Sequence, residues 1–472
     1  MSKNKGYLAA AATSALLAAC AALPPDTPAR IARPLDGYAT ARSFAAPAAP
    51  WPADRWWTRY GDPELTALVD EALAGSPTLA EARARLTKAQ ATRAIAAAAL
   101  LPKIGAQASA QETKQSENDL IPPAFAPHGY QDYGQVGLDF SWELDFWGRN
   151  RQAVAAAASR ARASEADLAE ARLVLSTALA STYATLAQLA ADRDVAETAV
   201  RVREQTAVLV AERVRNGLDT QAELKLAEAG APASRAALGA IDEQIALTRN
   251  ALAALAGEGP DRGLAIPLPA QPRRVDFALP ADLRANLIGR RPDVVAARWR
   301  AEAAEHVVRE AKAEFYPDIN LAASIGQQAL HLDRLFAAGS GIGTVGPALS
   351  LPIFQGGRLR ANLRGARADR DEAVAAYDAA VAEALRQVAD AAASERNLGD
   401  QLREARAALA GYEGAYRVAG LRYSGGLSTY QSVLLAEDAV LSERRVVADL
   451  ESRAFALDVA LVRALGGGFR EA

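Results

Sequence analysis

The sequence predicts a mainly α-helical chain with membrane β-strands: a duplicated unit of long α-helices plus one β-hairpin each. Three observations carry this. Two stretches of 67 residues, Arg149–Arg215 and Arg358–Ser424, lack proline, are rich in Ala, Leu, Glu and Arg, and carry apolar residues three and four apart, as at Leu168, Leu175, Leu179, Leu186 and Leu189. Landmarks recur: "SPTLAEARARL" from Ser76 aligns with "RPDVVAARWRA" from Arg291 and "LPKI" from Leu101 with "YPDI" from Tyr316, both 215 residues apart. "WGRNR" at Trp147 aligns with "GGRLR" at Gly356, and "RVRNGLDTQAEL" at Arg213 with "RYSGGLSTYQSV" at Arg422, both 209 apart. Between the middle landmarks the period changes from helical to two, which marks strands.

The first element is a targeting segment. Lys3 and Lys5 precede an apolar run that ends at Cys20, so residues 1–19 read as a signal peptide too short to span a bilayer as a mature helix. Leu17-Ala18-Ala19-Cys20 resembles a bacterial lipobox, which implies lipidation of Cys20, with Ala21 matching the sorting pattern for the outer membrane; the alternative is a plain signal peptide with a cysteine nearby. One cysteine excludes an intrachain disulfide. Beyond the signal no other apolar run of about 18 residues is expected, so no transmembrane helix follows and other insertion must use strands. Residues 20–75 form a lipidated N-terminal segment that leads into the first repeat.

The first repeat, residues 76–256, starts with a helix over 77–101, with Ser76 as N-cap and Pro77 at N1. A β-hairpin follows over 103–145, where Val136, Leu138, Phe140, Trp142 and Leu144 alternate with polar residues and Ile104, Ala106, Ala108 and Ala110 do the same. The long helix 149–215 then turns into a helix over 220–256. At 1.5 Å per residue, 67 residues reach roughly 100 Å, and two shorter helices end to end match that length. Abundant alanine lets such helices approach closely, as a helical wall or a long coiled coil requires. After a linker over 257–290, the second repeat, residues 291–465, offers a helix over 292–316, a hairpin over 318–353, the long helix 358–424 and a helix over 428–465; residues 466–472 are a tail.

Alternating apolar-out and polar-in residues over about ten positions fit a membrane barrel strand, with Trp142 and Trp147 as interfacial aromatics. A half-buried soluble hairpin is the alternative. Four strands cannot close a barrel, and an open edge in lipid leaves backbone groups unsatisfied. Copies of the chain must complete it, and a water-filled lumen favours three chains and a 12-stranded β-barrel.

Composition excludes other classes. Lys plus Arg (53) nearly balance Asp plus Glu (56), so no basic field points to nucleic acid. His128, His306 and His331 lack metal-ligand spacing, and neither a phosphate-binding GxxxxGK[ST] loop nor a GxSxG elbow occurs. Glycine-rich "SGIGTVG" at Ser340 opens a strand, and Met1 is the sole methionine, so phosphate cradling and a methionine-lined copper path lack support. No enzyme, metal or cofactor is expected beyond the lipid on Cys20.

The words "WWTRYGDPELTALVDEAL" from Trp56, "SWELDFWGR" from Ser141, "RRPDV" from Arg290, "AEFYPDINLAAS" from Ala313 and "LSLPIFQGGRLRA" from Leu349 run in order across nearly the whole mature chain. In them the chain resembles the TolC-like outer membrane efflux proteins, in the lipoprotein branch of OprM and NodT type. The resemblance implies a homotrimer whose 12-stranded β-barrel in outer membrane lipid is continued by an α-helical barrel into the periplasm, with an equatorial belt from the chain ends and linker. It implies an exit duct for small molecules, partnered by a periplasmic adaptor (membrane fusion protein) and an inner-membrane pump of the resistance-nodulation-division (RND) type. Coupling to protein secretion, or a lipid-tethered scaffold without a lumen, are the alternatives.

The resemblance also answers why one turn occurs twice. It places both turns at the periplasmic end, where Arg213, Gly217, Leu218, Arg422, Gly426 and Leu427 meet the adaptor. The glycines supply positive φ for the helix reversal, and Thr220 or Ser428 caps the returning helix. Tyr423 matches the family's tyrosine near the second turn, and Glu223 falls at an acidic position after the first, so the expected latch is a Tyr423 to Glu223 hydrogen bond worth about 1 to 2 kcal/mol. Ser432 and Leu435 stand where relatives carry constriction aspartates, which leaves Glu437 and Asp438 as the nearest acids and an apolar constriction at Leu435.

Overall fold

The computed structural model describes residues 23–26, 28–114, 116, 123–125, 128–269 and 277–471. The signal segment and Cys20 lie outside the described residues. The chain divides into two units, one of residues up to Ala32 with Leu86–Ala163 and Ala297–Tyr377, the other of Arg33–Arg85, Ser164–Ala296 and Asp378–Ala472. Nine helices are described: α1 (Pro63–Gly75), α2 (Pro77–Ala98), α3 (Arg149–Arg215), α4 (Gln221–Ala256), α5 (Pro260–Leu264), α6 (Leu283–Arg290), α7 (Pro292–Ala313), α8 (Arg358–Ser424) and α9 (Tyr430–Ala464). The strands are β1 (Ala48–Ala49), β2 (Lys103–Lys114), β3 (Tyr130–Glu143), β4 (Leu279–Pro280), β5 (Asp318–Leu330) and β6 (Gly341–Ser350).

In the first unit, two hairpins form one antiparallel sheet in the order β2-β3-β5-β6, so the strands of the two repeats pair with each other at β3 and β5. Register decides the faces. Pairings of Ile104 with Phe140, Leu138 with Ile325, Trp142 with Leu321, and Ile319 with Leu349 put these apolar residues of all four strands on one side, with Leu330 and Ile342 on the other. The opposite side carries Gln107, Ser109, Gln135, Asp139, Ser141, Ser324 and Thr344. Ile104, Leu138, Ile325, Val345 and Leu349 are each more than half exposed on the apolar side.

The ends of these strands are pinned. Trp147 stacks on Tyr316 with ring centroids 4.7 Å apart, and its Nε1 donates to the Pro317 carbonyl at 3.0 Å. Arg149 joins the repeats by pairing with Glu143 at 2.7 Å and Asp318 at 3.1 Å. The start of α3 is capped by Asp145, which accepts from the Asn150 and Arg151 backbone amides. Val308, Phe315, Leu359 and Leu363 bury the join of α7 to α8, and Asp26 pairs with Lys312 and Arg367 on those helices.

In the second unit the main core gathers residues from widely separated segments: Trp56, Trp57, Tyr60, Leu65, Leu68 and Leu79 with Leu179, Tyr183, Leu186, Leu252, Phe455 and Val459. Tyr60 meets Phe455 edge-on at 4.5 Å, and the Tyr60 hydroxyl and Arg59 both bind Asp458. Asp62 caps α1 and also accepts from the Tyr183 hydroxyl at 2.8 Å. The parallel pairing of β1 with β4 is only two residues long and had no sequence signal.

One expectation is corrected here. Within α3 a stretch of 18 residues is apolar enough to cross a membrane, and 56% of that stretch is buried against protein. The same helix supplies Leu179, Ala180 and Leu186 to the core, where they are fully buried.

Candidate docking turns and latch

The two turns close in the same way. After α3, the Leu218 amide donates to the Arg213 carbonyl at 2.9 Å and Gly217 to Val214 at 3.0 Å; after α8, Leu427 donates to Arg422 at 2.8 Å and Gly426 to Tyr423 at 3.0 Å. These are paired six-to-one and five-to-two bonds of a glycine-terminated helix. Both Gly217 and Gly426 have φ of 73°, which a side chain disfavours. The hydrophobic residue after each glycine points outward, with Leu218 63% and Leu427 72% exposed.

The returning helices start differently. Thr220 caps α4 in a full capping box, accepting from the Glu223 amide while Glu223 accepts from the Thr220 amide at 2.7 Å. α9 begins one residue later than expected, after Thr429, which makes no side-chain cap bond. Ser428 does not cap it; its buried hydroxyl has no hydrogen-bond partner.

The latch partner is also corrected. Glu223 is committed to its capping box, and the Tyr423 hydroxyl donates to Asp219 instead. Arg213 grips the same carboxylate with two bonds, Nε to Oδ2 at 2.9 Å and Nη2 to Oδ1 at 3.2 Å, and its guanidinium lies over the Tyr423 ring at 4.4 Å. Asp219 and Arg213 side chains are only 6% and 12% exposed, so Arg213 sits inside the cluster, whereas Arg422 is exposed. Val210, Ala227, Tyr430 and Val433 enclose the cluster. Burial pushes the Asp219 carboxyl up, but the Arg213 and Tyr423 bonds outweigh it and hold the group below the ordinary carboxylate range. Burial and the bond to Asp219 raise the Tyr423 phenol.

A second buried charge lies on α9. Glu437 is 2% exposed, and burial raises its carboxyl although Arg203 Nε stands 3.1 Å away. That contact is an ion pair out of hydrogen-bonding alignment, which leaves both Glu437 oxygens without a hydrogen bond. Arg203 also binds Asp438. Of the two acids only Asp438 reaches the surface, beside the exposed Ser432 and Leu435. Among the described residues no cluster of His, Cys, Asp or Glu could hold a metal ion.

Sequence reasoning missed Asp219 although it stands inside the repeated turn. Its counterpart 209 residues on is Ser428, so the duplicated words differ at the carboxylate that Arg213 and Tyr423 bind.

Comparison with known proteins places these features. The profile of the outer membrane efflux protein family matches residues 68–258 and 283–467, one segment in each repeat. The fusaric acid resistance protein FusA of Burkholderia cepacia is 38% identical over 77% of this chain and 70% of its own length. The multidrug resistance outer membrane protein MdtP of Shigella flexneri is 34% identical over 89% of this chain and 88% of its own. Among solved structures, the outer membrane protein VceC of Vibrio cholerae superposes with a TM-score of 0.85 at 44% identity, covering 89% of this chain and all (100%) of that one. The outer-membrane channel OprN superposes with a TM-score of 0.84 at 28% identity, covering 95% and 98%.

Proposed function

Because the chain belongs to the outer membrane efflux protein family, we propose that its two glycine turns dock a periplasmic adaptor and that Arg213, Asp219 and Tyr423 latch the closed duct. The chain is a trimeric outer membrane exit duct of efflux systems, with three four-stranded sheets contributing to one 12-stranded barrel. The observation that carries the duct reading is the sheet itself. From Ile104 to Ala110 and Phe140 to Gly134 one face is apolar while the other carries Gln107, Ser109, Gln135, Asp139 and Ser141, and β2 and β6 each lack a neighbour on the outer side among the described residues. Such edges are satisfied in lipid only by further strands.

Docking follows from what the turns expose. Burying a leucine contributes about 1.5–3 kcal/mol, less where it is already partly covered, and three chains present Leu218 and Leu427 six times in all. The adaptor then has a repeated, shallow apolar target rather than one deep pocket. Solutes move passively, driven by an inner-membrane pump of RND type, and the fusaric acid resistance named for FusA and the multidrug resistance named for MdtP support small organic molecules as cargo. The lipobox words support lipidation of Cys20 as a second membrane anchor.

The test is light scattering on protein extracted from outer membranes in mild detergent, followed by conductance in planar bilayers. Three copies that conduct are expected. A stable monomer, or a trimer that fails to conduct even with the latch removed by Asp219→Asn, would overturn the duct.

A further inference from the structure

The turn after β5 folds back over the apolar face of the sheet. Gly134, on the same face of β3 as Val136 and Leu138, is covered by it: a Cβ at Gly134 would stand 2.6 Å from Leu332 Cδ2 and 3.4 and 3.5 Å from the two Leu335 methyls. The short helix Leu332–Arg334 is thus on the side that carries Ile104, Ile325 and Val345. Leu332 is 44% exposed and the adjacent Phe336 is 77% exposed.

The turn is clamped in that position. Asp132 lies on the same face of β3, opposite Glu112 of β2 where the apolar rows end, and its carboxylate is taken up by the turn. Its Oδ2 accepts from the Leu332 amide at 2.8 Å, its Oδ1 meets His331 Nδ1 at 3.1 Å, and its carbonyl accepts from the His331 amide at 2.6 Å. His331 has φ of 72°, the only positive value among the described residues other than glycines. A non-glycine residue keeps that conformation only where its surroundings enforce it.

We propose that Leu332, Leu335 and Phe336 form a lipid-immersed turn that extends the apolar belt by one row into the acyl chains of the outer leaflet. Continuity with the lipid-facing side of the sheet identifies the occupant. The turn covers β3 and follows β5, the central strands, whereas neighbouring copies join at β2 and β6, so lipid rather than protein meets it. The inference rests on the barrel reading and adds a contact that reading does not require.

The test uses Cys20 as the only native cysteine. In a Cys20→Ser background, Leu332→Cys, Phe336→Cys, Val345→Cys and Ala338→Cys are each labelled with a nitroxide, in trimers reconstituted into bilayers. Collisions with oxygen and with a polar nickel complex report depth. The Leu332 and Phe336 labels are expected to favour oxygen as the Val345 label does, and the Ala338 label to favour nickel. Nickel preference at Leu332 and Phe336 with oxygen preference at Val345 would overturn the immersed turn and leave the barrel intact; nickel preference at Val345 would overturn both. Adding Asp132→Ala is expected to move the Phe336 label toward nickel, and an unchanged ratio would overturn the clamp.

Discussion

Tyr423 donates its hydroxyl hydrogen to Asp219 across 204 positions of sequence, joining the end of the second long helix to the turn that follows the first. Tyr423→Phe removes one bond to a charged acceptor, about 1.5 kcal/mol, and should shift the closed-to-open ratio roughly tenfold. Asp219→Asn weakens both partners and leaves the largely buried Arg213 charge poorly compensated, so its effect should be larger. Single-channel conductance in bilayers reads both. Wild-type conductance in both variants would remove the latch.

The same carboxylate sets a pH dependence. Asp219 titrates below its ordinary value of 3.8, so its contribution is complete above that pH and lost as pH falls through the lowered value. Conductance of the wild type should rise below about pH 4, while Asp219→Asn should be already open and insensitive there. A parallel rise in both would assign the effect to other carboxylates.

Glu437 has the opposite sign. Its carboxyl is raised by burial, so its ionised form opposes folding at neutral pH and that penalty disappears as pH falls through the raised value. Glu437→Gln leaves Arg203 paired with Asp438 and should stabilise the protein by about 1 kcal/mol at pH 7, with the gain shrinking toward acid pH. Thermal melting at neutral and acid pH checks this; a lower melting point at neutral pH would show that the ion pair with Arg203 dominates.

The docking turns predict a separation of assembly from efflux. A β-branched residue at Gly217 or Gly426 must adopt φ of 73° at about 1–2 kcal/mol each. Gly217→Val with Gly426→Val, and independently Leu218→Asp with Leu427→Asp, should abolish efflux while trimers still form. Normal drug resistance in both double variants would contradict adaptor docking at the turns.

Lipidation has a direct readout. Labelled palmitate should enter the wild-type protein and not Cys20→Ser, which should still assemble as trimers. An unlabelled wild type would favour the plain signal peptide.

The sequence carried the elements whose pattern is periodic. Alternation at Val136, Leu138 and Phe140 marked a strand, and proline-free helical spacing marked both 67-residue helices, because each pattern is set by burial along one element. The family words from Trp56 were legible as words but not as structure; Trp56, Trp57 and Tyr60 turn out to be core. Partner choice was less legible. Whether Tyr423 meets Glu223 or Asp219 depends on how α8 crosses the turn after α3, and Thr220 three residues before Glu223 is the spacing of the capping box that occupies Glu223. Ser428 lost its cap role because α9 starts one residue later.

The core around Trp56 has a consequence for biogenesis. Tyr60 packs on Phe455, and Arg59 and Tyr60 bind Asp458 across 399 and 398 positions, so this core cannot close until residue 458 has been delivered. A chain exported from its N-terminus must therefore hold most of its apolar surface open during translocation, which favours aggregation over folding. Its yield should depend on holding chaperones outside the inner membrane more steeply than that of a protein whose core is built from neighbouring segments.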